Sequence, residues 1–248
     1  MNTRTLLTAV AALAITAAAH AEPTTRSFIG YGYDLESGEF RYTEHHTQTL
    51  EGDRVVDWSV DYRLPDGSTL ATKWLKPGNH PAVPEYRLTV ERNGYVEGIR
   101  RVDGNTIELI RQKPGEDTPD TKTIDHDDTA CADSGFDAYL RDNWAAAMDG
   151  KKLKFDFIAA GRLGDYGFKA KRIDDTRFEG KPAVRFEVSL ASLLGVFIDS
   201  LELTYDPDTR RLLEYRGVGN MPGEDDKVYP VRVSYYSERP EDLPPAPN

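Results

Sequence analysis

Apolar and polar residues alternate along most of this chain. Val56, Trp58, Val60, Tyr62 and Leu64 interleave with Val55, Asp57, Ser59, Asp61 and Arg63. A period of two places one set on each face of a β-strand. The same rhythm recurs at Tyr31-Tyr33-Leu35, Phe40-Tyr42, Tyr86-Leu88-Val90 and Leu153-Phe155-Phe157. Val184-Phe186-Val188, Leu201-Leu203-Tyr205 and Val231-Val233-Tyr235 continue it. Turn chemistry separates these runs: Glu36-Ser37-Gly38, Pro65-Asp66-Gly67, Arg92-Asn93-Gly94, Asp103-Gly104-Asn105, Glu179-Gly180-Lys181 and Pro207-Asp208. Asn-Gly and Asp-Gly between alternating runs are strong hairpin signals. The spacing predicts an antiparallel meander of about ten strands. Such a sheet must curl, close or pack on something to hide its apolar face.

One segment departs from the period of two. Phe136, Leu140 and Trp144 fall at i, i+4 and i+8, and Tyr139 and Ala147 widen the stripe. Asp137, Arg141 and Asp142 lie mostly off it. This predicts one amphipathic helix over 135–148, capped by Asp133-Ser134 and ended by Gly150. The expected fold class is therefore mainly β: a curled antiparallel sheet, half-barrel or irregular barrel, with one covering α-helix. A second apolar run, 190–198, lacks alternation and suits a short helix or a buried corner. Gly161, Gly164 and Gly167 suggest a flexible loop, since no helix pattern follows to make a phosphate cradle. The polar, acidic stretch 113–128 is expected as an exposed loop.

The first twenty-one residues follow another pattern. Arg4 is their only charge, an apolar run follows from Leu6 to Ala19, and Ala19-His20-Ala21 is a small-x-small cleavage pattern. The apolar run is too short for a stop-transfer helix, so 1–21 is expected as a cleaved signal peptide. No cysteine stands at the cleavage point to accept a lipid, and no Arg-Arg pair precedes the run. The expected organisation is a signal at 1–21, one β-rich domain at 22–237, and a disordered Pro-rich tail at 238–248. The expected location is the periplasm, with no lipid anchor and no integral membrane span.

Charge and cysteine usage narrow the partners. The formal charge is −11, and losing Arg4 with the leader makes it −12. An acidic chain repels phosphate backbones, so nucleic acid is not an expected partner. The single cysteine, Cys131, excludes an internal disulfide, so stability must come from core burial. A small buried thiol is the simplest role for it.

The candidate chemistry is sparse. His45 and His46 are adjacent, so in a strand they point to opposite faces and cannot serve one site. Asp125-His126-Asp127-Asp128 is the best metal-like run, but it lacks the spacing of a calcium loop. No nucleophile elbow, zinc motif or cysteine-pair site is present. We expect no metal and no cofactor. Aromatic residues at inward strand positions are the positive signal: Tyr31, Tyr33, Phe40, Tyr42, Trp58, Tyr62, Phe155, Phe157, Phe186 and Tyr205. Gathered on one face, they make either a packed core or a partly open apolar cavity. The candidate ligand-binding residues are Trp58, Tyr62, Phe155, Phe157 and Phe186 from strands, with Tyr139 and Trp144 from the helix.

The run from Asp133 to Trp144, Asp-Ser-Gly-Phe-Asp-x-Tyr-Leu-Arg-x-Asn-Trp, resembles the signature of an uncharacterised family of secreted gammaproteobacterial proteins. Tyr33-Asp34-Leu35 with Ser37-Gly38-Glu39, and Leu203-Thr204-Tyr205-Asp206 with Arg211 to Gly217, resemble that family's other marks. The resemblance carries no catalytic residues across. More distantly, a strand-rich chain with an intervening helix is similar to the half-barrel carriers of the periplasm, including lipoprotein-sorting chaperones that hold acyl chains in a concave sheet. This second likeness is architectural, and fold alone does not give function. The leading expectation is a periplasmic, non-catalytic protein that binds or carries an apolar or lipid ligand in its concave sheet. The alternative is an envelope structural or interaction protein with a solid core. A hydrolytic enzyme comes third, and it requires carboxylates converging in a cleft.

Overall fold

A computed structural model describes residues 22–191, 200–223, 227–241 and 243. The expected signal peptide, most of the 190–198 run and most of the tail lie outside the described residues. The strands are, in chain order, β1 (Thr24–Asp34), β2 (Phe40–Glu51), β3 (Arg54–Arg63), β4 (Thr69–Lys76), β5 (Glu85–Val90), β6 (Tyr95–Asp103), β7 (Thr106–Gln112) and β8 (Asp120–Asp125). They continue with β9 (Ala130–Ala132), β10 (Leu153–Ala159), β11 (Gly164–Phe178), β12 (Lys181–Leu190), β13 (Leu201–Tyr205), β14 (Leu212–Pro222) and β15 (Val228–Ser234). Two short helices, α1 (Gly135–Asp142) and α2 (Trp144–Met148), lie between β9 and β10.

Among the described residues, the fifteen strands form one sheet in the order β8-β7-β6-β5-β4-β3-β2-β1-β15-β14-β13-β12-β11-β10-β9. Neighbours pair antiparallel except β9 and β10, which are parallel. The chain is two meanders joined where β1 pairs with β15. The mainly-β class and the curled sheet are as expected; the strand count exceeds the expected ten. The strands not anticipated range from the polar β8 to the short, fully buried β9, Ala-Cys-Ala. β8 is exposed along nearly all its length, so the 113–128 stretch holds an edge strand rather than only a loop. Gly164 and Gly167 belong to β11, facing Ala159 and Asp156 across the ladder, and not to a loop.

The sheet's edges, β8 and β9, are consecutive in sequence, and backbone and side-chain contacts bring the rolled sheet together where no ladder joins them. The 3-10 turn Ala160–Arg162 packs on β6 and β7. Arg111 Nη1 donates to the Gly161 carbonyl at 3.4 Å. The Ala132 amide donates to the Ala82 carbonyl, before β5, at 2.9 Å. Lys73 of β4 reaches Asp133, just after β9, at 2.7 Å.

The inner face fills in two clusters. One gathers β2–β7 with Ala130, Ala132, Ile158 and Ala160 from the opposite edge. The other packs the helices on β10–β13. Trp144 lies 5.6 Å from the Phe186 ring and 5.7 Å from Tyr205. Tyr139 lies 5.4 Å from Phe155 and donates its hydroxyl to the Lys154 carbonyl.

The expected single helix is broken at Asn143, whose side-chain amide donates to the Tyr139 carbonyl at 2.9 Å. Asn competes in this way with the helical backbone. Nor does Ser134 cap α1: its amide and hydroxyl both go to Asp133 Oδ1. Gly150 follows α2 with φ of 80°, a left-handed stop. No helix among the described residues is long and apolar enough to cross a membrane.

Candidate functional site

The expected ligand-binding residues divide between the two clusters. Tyr62 is fully buried in the first, with Trp58 packed against it. Phe155, Phe186, Tyr139 and Trp144 belong to the second, and Phe157 packs at its margin. The fold does not bring them to one common cavity. Exposure is 1% at Tyr62, 0% at Phe186 and 3% at Phe155, because neighbouring rings cover them: Tyr42 on Tyr62, Trp144 on Phe186 and Tyr139 on Phe155. Tyr31, Tyr33 and Phe40 leave the inner set altogether. On β1 the inward positions are Gly30 and Gly32, because the Tyr42 ring fills the space: a Cβ at Gly32 would stand 2.6 Å from its Cζ. Tyr31 and Tyr33 therefore face outward, where the Arg232 guanidinium covers Tyr33 at 4.2 Å.

The inner face also carries polar groups that its aromatic pattern conceals. Glu44, His46 and Gln48 alternate inward along β2. The Trp58 indole donates to His46 Nδ1 at 3.0 Å. An indole nitrogen only donates, so Nδ1 accepts and the ring hydrogen lies on Nε2, 3.0 Å from Glu44 Oε2. Tyr235 donates to the same carboxylate at 2.9 Å, and Phe28 stacks on the imidazole at 4.4 Å. As expected from their adjacency, His45 and His46 do not share a site.

Lys73 and Asp133 form a buried ion pair, with Ser134 Oγ 3.3 Å from the ammonium. Burial disfavours the Lys73 charge, but Asp133 more than compensates and holds its pKa above the ordinary value. Burial likewise opposes the Asp133 charge, yet Lys73 and the Ser134 hydrogen bonds hold that carboxyl below its ordinary value. Glu97 is different: burial raises its pKa despite the Tyr95 hydroxyl donating to it at 2.7 Å.

The acidic run meets other carboxylates. Asp125, His126 and Asp127 line a cleft of about 250 Å³ with Asp156 and Asp165. Burial, then Asp127 and Asp165, push the Asp156 pKa up. Crowded carboxylates take up a proton more readily than an isolated one. This convergence is what a hydrolytic site requires, but the cleft lies below the size range of ligand pockets, about 300–1,000 Å³. Among the described residues no group of three or more His, Cys, Asp or Glu is placed to hold a metal ion. Cys131 is buried, and burial raises its thiol pKa, as suits an inert core residue.

The larger concavity lies on the outer face. A cleft of about 600 Å³ is lined by Arg177, Arg185, Arg216, Glu202 and Glu214, with Leu35 and Phe178 as apolar walls. Arg185 Nε donates to Asp174 Oδ1 at 2.8 Å, and its Nη1 reaches Glu202 at 3.4 Å. Glu214 accepts from Ser234 Oγ at 2.8 Å and meets Arg216 at 3.5 Å. None of these charged residues is among the sequence-based candidates: Arg185, Glu202, Glu214 and Arg216 are the polar positions between inward apolar ones.

A rolled sheet with a packed inner face defines a β-barrel-like protein. The chain is similar in fold to a crystal structure described as a beta-barrel-like protein of domain of unknown function DUF1849 from Brucella abortus. The likeness has a TM-score of 0.50 and 6% sequence identity, and covers 86% of this chain and 95% of that one. No family model and no curated protein matches the chain.

Proposed function

We propose that this chain is an exported, non-catalytic protein of the cell envelope, built on a solid core and acting through its outer surface. The packing of the inner face carries this reading. Tyr62, Phe186, Leu140 and Leu109 are buried almost completely, and inward aromatics contact one another rather than an open space. A carrier of acyl chains needs apolar surface that its own side chains leave vacant. The leader pattern at 1–21 supports the envelope location.

The test is native mass spectrometry of the protein expressed with its leader and purified from the periplasm. The expected species starts at Glu22 and carries no adduct, and a fluorescent fatty acid produces no saturable signal. A stoichiometric lipid adduct, or saturable fatty-acid uptake, would overturn the solid-core reading and restore the apolar carrier. A mass retaining residues 1–21 would overturn the cleaved leader.

A further inference from the structure

We propose that the outer cleft is a binding site for a short zwitterionic peptide, one with a free ammonium and a free carboxylate around a small apolar body. The cleft is a built feature of the fold. Leu35 directly follows β1, and Phe178 ends β11, five strand spacings away in the sheet. On a flat sheet that separation is about 24 Å, at roughly 4.8 Å per strand. Both residues nonetheless line one cavity, so the sheet bends over its outer face there.

The segment after β15 fixes the bend. Tyr236 stacks on Phe178 at 5.5 Å and lies 5.9 Å from Tyr31. Ser237 donates its hydroxyl to Glu179 Oε1 at 3.0 Å, at the tip of the β11–β12 hairpin. The β11–β12 arm therefore stands opposite β14 with the cleft between them.

Charge selects the ligand. The lining offers guanidinium groups from Arg177, Arg185 and Arg216 and carboxylates from Glu202 and Glu214. A plain anion meets both glutamates as well as a chain whose formal charge is −11. A plain cation meets the arginines. A molecule with both signs satisfies both sets, since guanidinium groups pair well with carboxylates and ammonium groups with glutamates. Arg216 is the cation on the β14 wall, where its side chain is 41% exposed and meets Glu214 only at 3.5 Å. Glu202 is the matching anion, 37% exposed and 3.4 Å from Arg185. The volume of about 600 Å³ falls within the range of small-ligand pockets. Leu35 and Phe178 receive the apolar body. The site is independent of whether the inner face opens to a lipid.

The experiment is isothermal titration of the protein, freed of its leader, with the tripeptide Ala-Phe-Ala. The same peptide N-acetylated, C-amidated and doubly capped serves as the comparison. The free tripeptide should bind saturably, and each single cap should weaken it at least tenfold. Arg216→Gln should remove the penalty of C-amidation, and Glu202→Gln the penalty of N-acetylation. Both side chains are partly exposed, so melting temperatures should stay near that of the parent and separate lost binding from lost fold. No binding at millimolar peptide, or equal binding of free and doubly capped forms, would overturn the proposal. Fatty-acid uptake alongside peptide binding would overturn the solid core and leave this site standing.

Discussion

Asp133 is a non-glycine residue with φ of 45°, in a region few side chains adopt without local support. That support is the ion pair with Lys73, together with the Ser134 amide and hydroxyl. Removing the carboxylate leaves an ammonium buried among Tyr62 and the β4 core. We expect Asp133→Asn to cost about 3–5 kcal/mol at neutral pH. The pH dependence has a definite sign. Asp133 titrates below its ordinary value, so its contribution is complete above the unfolded pKa of about 4 and is lost as pH falls through the folded one. Lys73 titrates above its ordinary value, so its share persists until strongly alkaline pH. Denaturant melts of parent and variant should therefore differ most between pH 5 and 9 and converge toward pH 2. A gap that does not change with pH would refute the pairing. The sequence marked Asp133-Ser134 only as a helix cap, since a lysine sixty residues upstream is not a local signal. Likewise adjacency put His45 and His46 on opposite faces, but did not show that Trp58 and Glu44 hold the two ring nitrogens of His46.

At the scale of elements, the helix pair tests what periodicity predicts. Trp144 packs between Phe186 and Tyr205, while Asp142 is exposed. Trp144→Ala removes a buried aromatic and should cost about 3–5 kcal/mol. Asp142→Ala should change stability by roughly 0.5 kcal/mol or less. Chemical denaturation of both variants checks the contrast, and equal small effects would mean that the helices do not cover β10–β13. The stripe of Phe136, Leu140 and Trp144 was legible because a helix with one buried face repeats every 3.6 residues. The break at Asn143 was not, because it depends on one side-chain hydrogen bond. Asp137 also departs from the stripe argument: burial raises its pKa, and it bonds with Tyr205. Strands were legible where one face is apolar and the other wet, as in β3 and β5. In β11 the alternation Tyr166-Phe168-Ala170 is short, starts among Gly161, Gly164 and Gly167, and gives way to the charged run Lys171-Arg172-Ile173-Asp174-Asp175, so it reads as a loop rather than a strand.

Across the whole molecule, the rolled sheet is held at its seam by close backbone approaches rather than by a continuous ladder, and this makes small residues there decisive. At Gly135, where α1 meets the loop before β5, a Cβ would collide with the Ala82 carbonyl oxygen and stand 2.7 Å from Pro84 Cδ. The first of these is backbone and cannot rotate away. Nearby, Ala132 donates to that same carbonyl, so displacing it also disturbs a seam hydrogen bond. Overpacking of this kind costs about 1–3 kcal/mol. Gly164 supplies the control, because the atom nearest an added Cβ is the Arg162 carbonyl oxygen at 3.9 Å. Composition marks both positions only as glycine; the difference arises from which chain segments the rolled sheet brings together. Gly135→Ala should therefore lower the denaturation midpoint, while Gly164→Ala should leave it nearly unchanged. If the seam is what keeps the aromatic clusters covered, Gly135→Ala should also bind the hydrophobic dye ANS below its unfolding transition, and the parent should not. A destabilised variant that stays dark to the dye would place the strain locally, at the helix junction, and would show that the seam is not what closes the barrel.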